Sequence, residues 1–476
     1  MRRLTVLLAS LGAFTALLVT SAGATAAATP KSFMILAKGG LPAGLAAQVE
    51  AAGGALTTAI PEIGVAYATS SSSDFRGNAA RISGVESVSH SISTQWVTPV
   101  RRVAGPSVNF ANPPTSGDDD FFFDLQWGHD AVNAPEAWNH GARGAGTRVA
   151  VIDTGFDTDH PDLAPNVNLG LSMNFVPGET LAYALPDPFS HGTHTAGTVA
   201  AADNAFGTIG VAPEAELVLV KGLPDEGCGS DGPILQGIVH AADVDADIIN
   251  MSLGARLEKR GYVEPGCDPG TSDDVFVTAS EVAEIRKAWA RAIDYAIKQG
   301  TTVIASAGND GEDKDHSADA IHLPSDTPGV ISVAATGPVG WGIDPTTDLD
   351  LPAVILGADP DGIYTNFGQS AIDFAAPGGS VDLNLPGVCT VGIVTNPCFV
   401  FDLVFSTGNN GWFWSAGTSM AAPHVAGVAA IIVGENGSMK PSQVEAALRA
   451  SADDLGKPGN DDFYGAGRVN AENAVD

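Results

Sequence analysis

The chain has 476 residues, of which 44% are hydrophobic and 16% charged. That composition supports large buried cores and excludes wholesale disorder. It carries 23 Lys and Arg against 55 Asp and Glu, a formal net charge of -32, which repels phosphates and anionic lipid; nucleic acid and membrane surfaces are poor partners, while acidic loops suit hard cations such as calcium.

Met1-Arg2-Arg3 is a short basic start, residues 4–19 are nearly all apolar, and Ala26-Ala27-Ala28 offers small residues for cleavage. Residues 1–28 therefore read as a signal peptide, and the protein as secreted and extracellular. No later stretch reads as apolar for long enough to span a bilayer, so no membrane contact is expected once the signal is removed. Four cysteines in an exported chain favour disulfides. Three pairings are possible; the placing of the cysteines in Gly/Pro-rich loops favours Cys228–Cys267 and Cys389–Cys398. The spacings do not resemble a zinc site.

Residues 29–100 form a unit with balanced charge. A strand is expected over 33–37, a helix over 41–52, strands over 56–60 and 65–68, a helix over 74–82 and a last strand over 85–88. The order β-α-β-β-α-β is ferredoxin-like. Residues 101–120 are rich in Pro, Asn, Ser and Asp and read as a linker and processing region. From 121 to 476 the rhythm changes. Strands are expected over 148–152, 217–220, 247–251, 302–305 and 330–333, with helices over 193–201, 234–242 and 281–297 between them. Apolar strands alternating with helices imply a parallel sheet covered on both faces, a three-layer α/β domain. Two Gly/Pro-rich stretches, 255–279 and 382–411, read as surface insertions.

Four strings carry chemistry. Val149 to Ile152 is an apolar run ending on Asp153, whose carboxylate can accept from an imidazole, although a lone strand-end Asp more often caps a turn. His191-Gly192-Thr193-His194 opens a helix and projects an imidazole from its entrance. Two histidines three apart also suggest a metal, but the Glu of a His-Glu-x-x-His zinc site is missing. Ser252-Leu253-Gly254 and Ala305-Ser306-Ala307-Gly308-Asn309 each follow a strand. Their small residues leave backbone open for an extended peptide, and Asn309 supplies an amide donor. Gly417-Thr418-Ser419-Met420-Ala421 sets a serine at a helix entrance, where N–H groups point outward; Ser419 is either a nucleophile or only a cap.

Taken together, the four strings resemble the subtilases, the subtilisin-like serine proteases, which share the chain order Asp, His, Ser. The likeness runs from about Leu125 to the end. It takes in Asn133-Ala134-Pro135, His160-Pro161-Asp162-Leu163, Gly210-Val211-Ala212-Pro213, Ala375-Ala376-Pro377-Gly378 and Gly465-Ala466-Gly467-Arg468-Val469-Asn470. The resemblance implies a serine endopeptidase working through an acyl-enzyme. Asp153 would orient the imidazole, His191 would be base and then acid, Ser419 the nucleophile, and Asn309 the oxyanion donor. Ser252, Leu253 and Gly254 would flank the substrate backbone, and Ala305, Ser306, Ala307 and Gly308 would wall the pocket for the residue before the cut. Asp310 beside that pocket would let it tolerate basic side chains. Asp162 and Asn204, with backbone oxygens of Phe206 and Thr208, would hold a structural calcium ion; Asp124 is a weaker ligand candidate. Residues 29–100 would be a propeptide that inhibits its own enzyme until cut away, and the chain is expected to act as a monomer on protein or peptide substrates.

Two other classes compete. Asp153-Thr154-Gly155 also opens an aspartic-protease loop, but that chemistry needs a second carboxylate and no second Asp-Thr-Gly occurs. The other is a binding module with this fold and no activity, which would require damage outside an intact set of catalytic positions.

Overall fold

The computed structural model describes residues 29–106, 118–264, 266–267, 275–358 and 360–475. The expected signal, residues 1–28, and the middle of the expected linker lie outside them. Seven strands lie side by side in the order Phe374–Pro377, Val330–Thr336, Thr302–Ser306, Ile248–Met251, Arg148–Asp153, Glu216–Lys221 and Met173–Asn174. Every pairing among them is parallel. Successive side chains on a strand point to opposite faces, and the strand Arg148–Asp153 shows the consequence. Val149 and Val151 join one core with the helices His191–Ala200 and Thr418–Asn436, while Ala150 and Ile152 join another with the helices Asp231–Asp243 and Ala279–Gln299. Both faces are dry, so the strands read as continuous apolar runs.

The helix Thr418–Asn436 is long and apolar enough by composition to cross a membrane. That corrects the expectation that no such stretch follows the signal; here the helix is buried against the sheet.

Residues 31–90 form the expected β-α-β-β-α-β unit. Its antiparallel sheet runs Ala55–Ile60, Val65–Ser70, Lys31–Ala37, Val85–His90. One face covers its own two helices. The other places Met34, Leu36, Val65 and Tyr67 in the same core as the helices Asp231–Asp243 and Ala279–Gln299. Glu281 joins the two units. One carboxylate oxygen closes the capping box of Ala279–Gln299 by accepting from Thr278, and the other accepts from the His90 N–H (3.0 Å), the His90 ring (2.8 Å) and Arg76 (3.0 Å). Burial works to raise the Glu281 carboxyl, but these donors outweigh it and hold it below the ordinary carboxylate range. Glu86 meets Lys287 and Arg291 at the rim. Exposed pairs of that kind contribute about 0.2–1 kcal/mol each, against about 1.5–3 kcal/mol for each large apolar side chain buried, so the apolar face decides the docking.

Two expectations change. The linker 101–120 begins as a strand, Arg101–Ala104, which pairs antiparallel with Gly411–Ala416. The stretch 382–411 is a surface insertion only in its first half, a hairpin of Val388–Val391 and Val394–Pro397. Its second half, Val404–Gly408, is fully buried and flanks the cleft. The disulfides are Cys228–Cys267 and Cys389–Cys398, with Cα–Cα separations of 5.6 and 4.8 Å.

Candidate active site

Strands 148–153, 248–251 and 302–306 end on one edge, and the strand order switches direction at 148–153, which has 216–221 on one side and 248–251 on the other, the place where parallel sheets open a crevice. Asp153 closes the first strand, fully buried. Its carboxylate accepts from the Thr154 N–H (2.7 Å) and the Thr195 hydroxyl (3.2 Å). His191 Nδ1 lies 2.8 and 3.0 Å from its two oxygens. The imidazole stands at the first residue of its helix, which Ser190 caps by accepting from the Thr193 N–H. Gly192 lets that helix start so close to the strand end: a Cβ there would lie 2.9 Å from the Phe156 ring and 3.0 Å from the Thr154 carbonyl. His194 turns away, its Nε2 3.1 Å from the Phe413 carbonyl, so the two histidines do not converge as a metal pair. Burial pushes the His194 ring down to about 3.

Ser419 is the second residue of the helix Thr418–Asn436. Its hydroxyl donates to the Ser252 carbonyl (3.1 Å), and His191 Nε2 is buried without a partner. Asn309 Oδ1 accepts from the Thr418 N–H and hydroxyl, both at 2.8 Å, which turns Nδ2 outward. Nδ2 donates to the carbonyl of Thr98 at 3.2 Å.

Residues 93–105 cross this constellation in extended form. Ser93–Gln95 pairs with Cys228–Ser230. The Trp96 N–H donates to Gly227 and its carbonyl accepts from the Gly254 N–H, both at 2.9 Å. The Val100 N–H donates to the Ala416 carbonyl (2.9 Å), and Arg101–Ala104 continues against Gly411–Ala416.

A family model described as the subtilase family matches residues 144–467. The chain belongs to the subtilase family. It is a serine-type endopeptidase with an Asp-His-Ser triad. Subtilisin NAT of Bacillus subtilis subsp. natto is 33% identical over 351 residues, covering 74% of this chain and 71% of that one. Subtilisin Savinase of Lederbergia lenta is 33% identical over 353 residues, covering 74% and 98%. A solved lanthipeptide protease is similar at 29% identity with a TM-score of 0.56, over 74% of this chain and 94% of that one. The epidermin leader peptide processing serine protease of Staphylococcus aureus shares the fold over 94% of this chain and 98% of its own, with a TM-score of 0.70 and 21% identity.

In this subtilase a cavity of 270 Å³ opens beside Ser419, bounded by Thr98, Gly254, Ser306, Ala307, Gly308, Asn309 and His322, among others. Of the residues expected to wall the pocket, Ala305 packs in the apolar core; of those expected to flank the substrate backbone, Leu253 packs in the same core and Ser252 offers its carbonyl to Ser419. Asn366 gave no signal in the sequence. Its amide donates to the Ala307 carbonyl (2.9 Å) and its oxygen accepts from the Asp310 and Glu312 N–H groups, holding the loop that carries Asn309. A Cβ on Gly308, at φ 106°, would lie 2.4 Å from that amide. His322 was also missed; it stands between Glu312 (2.6 Å) and Asp310 (3.6 Å), and burial pushes its ring below the ordinary histidine range.

Among the expected calcium ligands, Asp162 is buried and leaves its Oδ1 without a partner. Asp162 Oδ2 accepts from the Thr208 N–H (2.8 Å) and hydroxyl (3.2 Å) and from the Trp412 indole (2.8 Å), and burial pushes its carboxyl up to about 6. The N–H groups of Asn204 and Phe206 turn toward Asp120 Oδ1. Asp118, Asp119, Asp120 and Asp203 bring one carboxylate oxygen each within 4.8 Å of one another. Asp120 is fully buried there, and burial, followed by the facing Asp118, pushes it up to about 8. Carboxyls packed this way hold either a shared proton or a cation, and all-oxygen donors of this charge fit calcium. Asp124, the weaker candidate, stands outside the cluster.

Proposed function

We propose that this endopeptidase is exported as a zymogen, with residues 29–100 as its propeptide, and acts as a monomer on protein or peptide substrates after a cut within 101–120. Ser419 Oγ attacks the carbonyl carbon and passes its proton to His191 Nε2, while Asp153 holds the ring through Nδ1. Asn309 Nδ2 donates to the oxygen as it becomes an oxyanion. Collapse expels the amine, which takes the proton from His191 and leaves an acyl ester on Ser419. Water then repeats the sequence to free the acid. A calcium ion held by Asp118, Asp119, Asp120 and Asp203 would stabilise the fold by charge neutralisation.

The observation that carries this reading is the Thr98 carbonyl on Asn309, with Trp96 and Val100 anchored on either side. The chain's own segment is seated as a substrate would be, by strand addition to the cleft walls. Treatment of the secreted protein with a serine-reactive phosphonate, followed by mass spectrometry, tests it. Label on Ser419, absent in Ser419→Ala, together with an N-terminus at or beyond residue 101, is expected. An unlabelled Ser419 in fully processed protein sinks the catalytic assignment, and a secreted protein that keeps residues 29–100 while fully active sinks the zymogen.

A further inference from the structure

The bond placed at the triad is Thr98–Pro99. Its cleavage would form an ester between the Thr98 carbonyl carbon and Ser419 Oγ and release Pro99 as a secondary amine that must take its proton from His191. Proline carries a ring carbon where other residues carry the amide hydrogen, and its φ is locked near −65°. The leaving nitrogen therefore cannot swing to present its lone pair to the imidazole. Residues 93–105 are seated as a substrate and protected from being one.

That makes the resident segment a template for what lies beyond the cut. Past Pro99 and Val100, Arg101 sets its guanidinium over the Phe399 ring at 5.6 Å from the centroid. Arg102 lies over Phe189 at 5.5 Å and pairs with Asp187 at 2.6 Å. Phe189 in turn packs edge-on to His191, with centroids 6.4 Å apart, and to Phe413 of the paired strand, 5.7 Å apart. A cavity of 250 Å³ bounded by Pro99, Arg102, Asp187, Phe189 and His191 gives this side depth. The backbone is held independently of sequence by Val100 to Ala416 and by the Arg101–Ala104 pairing, so the aromatic and acidic side chains are what discriminate. The surplus of acidic groups over basic ones in the whole chain, 55 against 23, adds a field that draws cations to it.

We propose that the leaving-group side of the cleft is a recognition site for paired basic residues at the third and fourth positions beyond the cut, with Phe399 reading the first and Phe189 with Asp187 the second. The proposal rests on the endopeptidase reading above and names its substrate class: extended peptides carrying that basic pair. Arg102 and Asp187 are both about half exposed, so the gain is moderate, about three- to tenfold in kcat/KM for the pair together.

Three probes test it on processed enzyme. The first is a synthetic peptide copying residues 94–104 with Pro99→Ala, and the second is the same peptide with Arg101→Ala and Arg102→Ala. The third is a short p-nitroanilide with nothing beyond the cut. The first peptide is expected to be cut after the position of Thr98, three- to tenfold faster in kcat/KM than the second. The advantage should shrink toward unity in Asp187→Asn enzyme, whose competence is checked on the second peptide. The copy that keeps proline should inhibit and remain intact. Equal kcat/KM for the two peptides, with p-nitroanilide still hydrolysed, overturns the recognition site and leaves the peptidase reading standing. An advantage that persists unchanged in both Asp187→Asn and Phe399→Ala also overturns it. If p-nitroanilide is not hydrolysed at all, the peptidase reading itself fails and this proposal falls with it.

Discussion

Asn309 Nδ2 stands 3.2 Å from the carbonyl oxygen of Thr98, although the two residues are 211 apart in the chain. Both hydrogens on the Thr418 side of Asn309 are spent on its oxygen, so its amide is aimed before any charge develops. Asn309→Ala should lower kcat about a hundred- to thousand-fold with little change in KM, a range known from subtilisin itself and not deduced from this fold. Steady-state kinetics on a p-nitroanilide decides it; a raised KM with intact kcat would remove the oxyanion role.

Ser419→Ala should abolish turnover, by about a million-fold on the scale established for the subtilisin triad. Made in a protease-free host, the variant should also accumulate with residues 29–100 attached, because no nucleophile remains to open residues 101–120. Intact-mass measurement checks this, and normal processing of the variant would show that another peptidase makes the cut.

The docking of residues 31–90 should weaken as pH rises through about 7. Asp231 is buried beneath this unit, with Ser91 3.3 Å from its Oδ1, and burial pushes its carboxyl up to about 7. A raised carboxyl favours the docked state fully at pH below the ordinary Asp value, and the advantage is lost as pH climbs from there through the raised one. Glu281 acts in the opposite sense, since its depressed carboxyl supports docking until pH falls well below the ordinary Glu range. In Ser419→Ala protein, the protection factors of strand Lys31–Ala37, taken relative to the intrinsic base-catalysed exchange rate, should fall between about pH 5 and 7. Asp231→Asn should flatten that response, and an unchanged slope in this variant would dissociate Asp231 from it.

Calcium should raise the melting temperature, because a ligand bound only by the folded state at a hundred times its Kd adds about 2.7 kcal/mol. Asp120→Asn should lose most of this response. In chelator the same variant should melt no lower than the parent, since it exchanges a buried carboxyl for a neutral amide. Calorimetry with and without chelator separates the two effects; an Asp162→Ala variant that loses the response while Asp120→Asn keeps it would return the ion to the loop first expected to hold it.

Much of the chemistry was legible because it is local. A strand that ends on Asp153, a helix that opens on His191 and another that opens on Thr418-Ser419 are patterns of a few residues each, and the period of the apolar runs decides which element carries them. The β-α-β-β-α-β order of residues 31–90 follows from equally short-range signals, whereas the Cys228–Cys267 pair, 39 residues apart, was only favoured among three pairings. Tertiary structure alone decided where those elements meet. Asn366 reaches Ala307 across 59 residues, Asp120 enters the loop of Phe206 across 86, and Trp412 takes the Asp162 oxygen across 250. No residue near any of them advertises its partner, because a buried polar group needs a hydrogen bond but not one from a particular place in the chain. The same holds for Thr98: nothing in its own sequence distinguishes it from its neighbours at the end of the 29–100 unit, and it is the docking of residues 31–90 on helices Asp231–Asp243 and Ala279–Gln299 that delivers its carbonyl to Asn309.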